Sequence, residues 1–144
     1  MSSALAEHAR RVSRGLEFFP PLEVDLGKYP AEEGSVYTNR IKVQMAESFH
    51  YLCPAPLEDD QVEQLNWLAA AVFRVTGCAD VARIDFRLDA HDGNQPYILE
   101  INPLPGLNPV YSDLCVEAKA AGWSYEDLIN RILDEAAARY ELAH

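Results

Sequence analysis

The segment from Arg83 to Asn102 leaves this chain the least freedom. Arg83-Ile-Asp-Phe-Arg-Leu-Asp89 and Pro96-Tyr-Ile-Leu-Glu-Ile-Asn102 flank Asp92-Gly93 and predict two antiparallel strands. An Asp-Gly pair is a strong hairpin signal because a type I′ turn needs positive φ at both central residues. A turn centred there sets Asp85 opposite Glu100 and Arg83 opposite Asn102. Alternate residues of a strand share a face, so these four polar groups lie together. The other face pairs Ile84 with Ile101, Phe86 with Leu99 and Leu88 with Tyr97, and is expected to meet the core. A slip of one residue would bury the carboxylates and expose the apolar set, so the register is well specified.

That face has a chemical reading. Two carboxylates set directly opposite each other repel unless something lies between them. A hard divalent cation held by carboxylate and amide oxygens removes the conflict, and magnesium favours one or two carboxylates together with phosphate oxygens. Arg83 beside such a site suits an anionic group or charge that develops during a reaction. The plainer reading is a solvated outer face of an antiparallel hairpin, and the pattern alone leaves both open.

At 144 residues the chain fits one domain and can bury a core. A formal charge of −11 argues against nucleic acid and anionic membrane surfaces as partners. It is compatible with a nucleotide, because a metal ion bridges acidic groups to phosphates. No apolar run approaches the roughly 20 residues of a membrane span, and the N-terminus carries no signal-peptide core. Cys53, Cys78 and Cys115 are widely spaced and lack paired metal-ligand spacing, so they are expected to be reduced and mostly buried, in a cytoplasmic protein. His8, His50, His91 and His144 are scattered and form no ligand pair.

Elsewhere the pattern is read element by element. Residues 2–12 predict a helix ended by Gly15, and Leu22 to Leu26 predicts a short strand entered from Pro20-Pro21. Gly27 to Gly34 reads as a loop and Ser35 to Val43 as a second extended stretch; Cys53-Pro-Ala-Pro56 argues against a helix there. Val62, Leu65, Ala69, Val72 and Phe73 predict a helix from about Asp59 to Thr76, opened by acidic residues and closed by Gly77. Asn102 to Pro109 must be a loop, and Asp113 to Ala121 predicts a short helix stopped by Gly122. Ser124 and Asp127 have capping-box spacing, and Tyr125, Leu128, Ile129, Ile132, Leu133 and Tyr140 predict the buried stripe of the last helix. This order predicts an α+β fold, an antiparallel sheet with helices packed on one face and the polar face left open.

The residues resemble a known family. Arg83-Ile-Asp-Phe86, followed by Tyr97-Ile-Leu-Glu-Ile-Asn-Pro-Leu-Pro-Gly106, is similar to the C-terminal signature of ATP-grasp ligases, closest to D-alanine–D-alanine ligase. Leu22-Glu-Val-Asp25, Val36-Tyr37, Lys42, Cys53-Pro-Ala55, Ser112-Asp-Leu114 and Ala120-Ala-Gly-Trp-Ser-Tyr-Glu-Asp-Leu-Ile129 continue it in order, over about residues 20 to 135. The resemblance implies that Asp85, Glu100 and Asn102 are ligands of Mg2+ (or Mn2+), with Glu100 bridging two ions. It implies that Arg83 steadies the transferred phosphoryl group, that Lys42 closes over the phosphates on a loop, and that the Gly106 N–H helps form an oxyanion hole. Ser112 falls near the serine that holds the acceptor's carboxylate. The implied reaction forms an acyl phosphate from a small carboxylate and ATP, which an amine of an amino-acid-like substrate then attacks. Such chemistry is mostly positioning and charge neutralisation.

Departures are equally specific. Val43 stands where the family usually has tyrosine, and Asp113 where leucine is more common. The family's ligases are about twice this length, and the substrate domain, glycine-rich loop and adenine lobe have no counterpart here. Residues 1–15 are therefore expected to be a helical extension, and residues 16–144 the C-terminal ATP-grasp subdomain. The first expectation is half of a carboxylate–amine ligase, inactive alone and completed by a partner polypeptide or by homo-oligomerisation. The alternative is a truncated binding module or pseudoenzyme without catalysis. A third is an autonomous metal-binding domain that self-associates through the sheet.

Overall fold

The computed structural model describes residue 7, residues 11–24 and residues 51–142. The expectations for residues 25–50, including the Gly27–Gly34 loop, the second extended stretch and Lys42, lie outside the described residues. So does most of the predicted N-terminal helix, of which residue 7 and residues 11–13 are helical before Gly15 turns the chain at φ 73°.

The described elements run β1 (Glu23–Val24), β2 (Tyr51–Leu52), α1 (Asp59–Val75), β3 (Arg83–Asp89), β4 (Gln95–Asn102), α2 (Asp113–Ala120) and α3 (Tyr125–Arg139). β1 pairs with β2 and β3 with β4, both antiparallel, and the mixture of these sheets with helices is the α+β fold that the pattern predicted. The helix boundaries fall where local chemistry sets them. Asp59 and Asp60 occupy the positive first turn of α1, the Gln61 side chain accepts from the Glu58 N–H at 3.1 Å, and Gly77 follows the C-cap at φ 70°. α3 opens on the predicted box, with the Ser124 hydroxyl accepting from the Asp127 N–H at 3.0 Å and the Asp127 carboxylate accepting from the Ser124 N–H at 3.0 Å.

The hairpin departs from expectation in two places. Its connection is a 3-10 turn over Ala90–Asp92, followed by Gly93 and Asn94, both left-handed at φ 61°. The left-handed pair is thus displaced by one residue from Asp92-Gly93, and a two-residue type I′ turn is not formed. The Asp89 carboxylate stabilises the alternative by accepting from the His91 N–H at 2.9 Å. The second departure is a bulge between Asp85 and Phe86. Below it the predicted pairs hold: Arg83 with Asn102, Ile84 with Ile101, Asp85 with Glu100. Above it Phe86 pairs with Ile98 and Leu88 with Pro96, which overturns the expected Phe86–Leu99 and Leu88–Tyr97 pairs. Leu99 is the extra residue and is 66% exposed.

The tightest packing lies between α2 and α3. Leu114, Cys115, Ala118 and Leu128 are buried there, with Phe19, Val81, Trp123 and Ile132 packed around them. Phe19 meets Trp123 edge to face, with ring centroids 5.3 Å apart. Leu114 and Leu128 are each worth about 1.5–3 kcal/mol of burial. α1 contributes Leu65 and Ala70 to the interior and packs along β4. The stripe predicted for α3 is narrower than expected: Leu128 is buried, whereas Tyr125, Leu133 and Tyr140 are exposed. Its main described helical neighbour is α2, which covers one edge of the apolar arc. Of the cysteines, all free, Cys115 is buried and Cys53 and Cys78 are half-buried, which corrects the expectation that most are buried.

Candidate functional site

The pleat below the bulge presents Arg83, Asp85, Glu100 and Asn102 on one face of the hairpin. Arg83 lies across this face and grips Asp85 with two hydrogen bonds, Nε to Oδ1 at 2.7 Å and Nη2 to Oδ2 at 2.9 Å. Its third nitrogen, Nη1, donates to Asp113 Oδ2 at 2.8 Å. Asp113 opens α2, and the Tyr51 hydroxyl donates to its other oxygen at 2.9 Å. The polar face is therefore not bare at its Arg83 end, because β2 and the first turn of α2 close over it. Burial alone would lower the Arg83 pKa, but the Asp85 hydrogen bonds and the charges of Asp85, Asp113 and Glu100 outweigh it and raise it. The guanidinium is a fixed cation.

Glu117 lies one turn beyond Asp113 on α2. Burial first, then the charge of Asp113, push its carboxyl up to about 8, with Arg83 pulling the other way and Asp85 adding to the rise. Burial and the nearness of Glu117 also raise the Cys53 thiol. Four acidic groups, Asp85, Glu100, Asp113 and Glu117, thus gather around one guanidinium, and Glu117 holds its proton well above the usual carboxylate range. Asp113, Glu117 and Tyr51 were missed as site residues in the sequence. The available signal was two acids one helical turn apart on α2, whose neighbours Leu114, Cys115 and Ala118 are buried.

The remaining predicted residues are placed as follows. Glu100 faces Asp85 and is exposed. The Asn102 side-chain oxygen accepts from the Leu104 N–H at 3.0 Å, which fixes the amide and starts the proline-rich loop. Gly106 passes so close to Ser112 that an added Cβ would stand 2.8 Å from its Oγ. Ser112 is 8% exposed, and its Oγ accepts from the Asn108 N–H at 2.9 Å. It sits at the N-cap position of α2 but makes no side-chain cap bond. The structure brings Arg83, Asp85, Glu100 and Asn102 together, and joins Gly106 to Ser112 in the following loop. Among the described residues no group of three or more His, Cys, Asp and Glu is assembled for a metal ion. The donor set on the hairpin still fits a hard cation, since two facing carboxylates and an oriented amide oxygen are the ligand types magnesium and manganese take.

Residues 23–134 match the family model described as D-ala D-ala ligase C-terminus. The chain belongs to that family. An uncharacterized protein, y4sG, of Sinorhizobium fredii is 39% identical over 125 residues, covering 87% of this chain and 35% of that protein. The D-alanine–D-alanine ligase of Herminiimonas arsenicoxydans is 42% identical over 86 residues, covering 60% of this chain and 25% of the ligase. A crystal structure of D-alanine–D-alanine ligase from Bacillus anthracis superposes with a TM-score of 0.59 at 23% identity, over 87% of this chain and 38% of that one. A structure of the Bacillus anthracis ligase complexed with ATP gives 0.57 at 17% identity, over 96% and 66%. These likenesses establish the fold as the C-terminal part of an ATP-grasp ligase. This D-Ala–D-Ala ligase C-terminal chain spans 25% to 36% of the length of its first relatives. Among its described residues no helix is long and apolar enough to cross a membrane.

Proposed function

We propose that the β3–β4 face is the metal and phosphate site of an ATP-dependent carboxylate–amine ligase, for which this chain supplies the C-terminal half. The observation that carries the reading is the register: Asp85 opposite Glu100 and Arg83 opposite Asn102, on one face, with an arginine laid across it. Asp85, Glu100 and Asn102 would hold Mg2+ or Mn2+, which when bound neutralises phosphate charge. Arg83 steadies the transferred phosphoryl group, with Lys42 assigned to the phosphates. The Gly106 N–H and Ser112, joined in one loop, serve the acyl group and the acceptor. A substrate carboxylate oxygen attacks the γ-phosphorus and ADP leaves. The amine nitrogen then attacks the acyl carbon, phosphate departs, and the nitrogen gives up a proton. On this reading residues 16–144 form one subdomain, which carries the metal and phosphate face.

Calorimetry of Mg–ATP on the chain, with Asp85→Asn as control, tests the site. Micromolar binding that vanishes in the control supports it. No binding, alone or mixed with candidate N-terminal halves, rejects it.

A further inference from the structure

Arg83 commits its three nitrogens to two carboxylates of different standing. Asp85 comes from the same strand, faces Glu100 across the hairpin, and its side chain is 34% exposed. Asp113 comes from α2, and both it and Arg83 are only 13% exposed. Asp113 has both oxygens occupied, Oδ1 by Tyr51 and Oδ2 by Arg83. A cation held on the hairpin face would draw on Asp85, the wetter partner, which supplies two of the three bonds that orient the guanidinium. An arginine side chain released in this way carries considerable rotamer freedom and turns toward water unless another acceptor holds it.

We propose that Asp113, pinned by Tyr51, is a positioning residue that keeps Arg83 aimed across the β3–β4 face when Asp85 turns to a cation; this rests on the reading of that face as a cation and phosphate site. The geometry assigns the remaining donors. With Nη1 retained by Asp113, Nε and Nη2 are the pair that Asp85 gives up. They form a two-pronged fork of the kind that matches two oxygens of a phosphoryl group. Asp85 is then a placeholder for the anion, and a cation clears it.

Rotation about the Arg83 Nε–Cζ bond, followed by nitrogen-15 NMR of the guanidinium groups in the full chain, reads this directly. Asp85→Asn removes the charge that a cation would claim while keeping the side chain's shape. Slow rotation of Arg83 is expected in both the unaltered chain and Asp85→Asn. In Asp85→Asn combined with Asp113→Asn, rotation should quicken by about tenfold or more, the size of a lost charge-assisted hydrogen bond. Tyr51→Phe in the Asp85→Asn background keeps every charge and should give a smaller acceleration, which serves as the test if the double carboxylate variant does not fold. Free rotation in Asp85→Asn alone, or no acceleration on altering Asp113 or Tyr51, overturns the proposal. Slow rotation that depends on Asp113, in a chain that binds no Mg–ATP, supports the positioning role and removes only the nucleotide-site reading. Mg–ATP binding in a chain whose Asp85→Asn variant lets Arg83 turn freely overturns the positioning role and leaves that reading standing.

Discussion

Glu117→Gln should abolish a pH dependence of stability that the unaltered chain shows between about pH 5 and pH 8. In the unfolded chain this carboxyl titrates near its ordinary 4.5, whereas in the fold burial and the charge of Asp113 push it up to about 8. Between those values the folded chain holds a proton that the unfolded chain has released, so stability falls as pH rises through the interval. Below 4.5 both forms are protonated and the term is fully favourable; above about 8 both are ionised and the loss is complete. The gap between about 8 and 4.5, at 1.36 kcal/mol per pH unit, sets a ceiling of about 5 kcal/mol. Solvent screening at this half-buried position reduces the expected loss to roughly 2–3 kcal/mol. Urea unfolding followed by circular dichroism, from about pH 5 to pH 8.5 at fixed ionic strength, measures it. The stability of the unaltered chain minus that of Glu117→Gln should be near zero at the acid end and fall by that amount at the alkaline end. The subtraction cancels the groups that do not interact with Glu117. A difference that stays flat with pH refutes the reasoning, since it means that folding leaves the proton affinity of Glu117 unchanged.

Three further outcomes follow from packing and register. Gly106→Ala places a methyl group 2.8 Å from Ser112 Oγ and must break the Asn108-to-Ser112 hydrogen bond or shift the loop; urea unfolding should show a loss of about 1–3 kcal/mol. Leu128→Ala empties the α2–α3 core at a residue only 3% exposed and should cost about 2–5 kcal/mol in the same assay. Deleting Leu99 removes the bulge residue while leaving Asp85 opposite Glu100 and Phe86 opposite Ile98, so cross-strand NOEs for both pairs should persist. Loss of the Asp85–Glu100 contact in that deletion would show that the bulge, and not the pairing below it, sets the site.

Elements set by short-range chemistry were legible in the sequence. The acidic opening of α1, Gly77 behind it and the Ser124–Asp127 box each depend on residues a few positions apart, and each lies where expected. Strand alternation also placed Arg83, Asp85, Glu100 and Asn102 on one face of the hairpin, where they lie. What was hidden depends on distance. Asp113 meets Arg83 thirty positions away and Tyr51 meets Asp113 across sixty-two, and no local pattern reports such a contact. The width of the α3 stripe was overestimated for the same reason, since burial of Tyr125 or Leu133 depends on a neighbour that the helix's own periodicity does not specify.

The hairpin shows why a wrong turn still led to the right face. A connection over Ala90–Asn94 sets Asp89 opposite Gln95, one residue earlier than an Asp92-Gly93 turn would. Carried unbroken down the strands, that register would put Leu99 opposite Asp85 and Glu100 opposite Ile84, turning the glutamate toward the apolar face. The cost of burying a carboxylate there exceeds the cost of leaving one leucine unpaired, because an unpaired ion loses far more on leaving water than an exposed leucine gains by entering the core. Three consecutive apolar residues, Tyr97, Ile98 and Leu99, cannot all point inward. Ile98 is 41% exposed and pairs with Phe86, while Leu99 is expelled at 66%. The expelled residue restores the count that the turn removed, and Glu100 returns to face Asp85. The register at the site is therefore governed by where charge can be buried, and the turn adjusts to it.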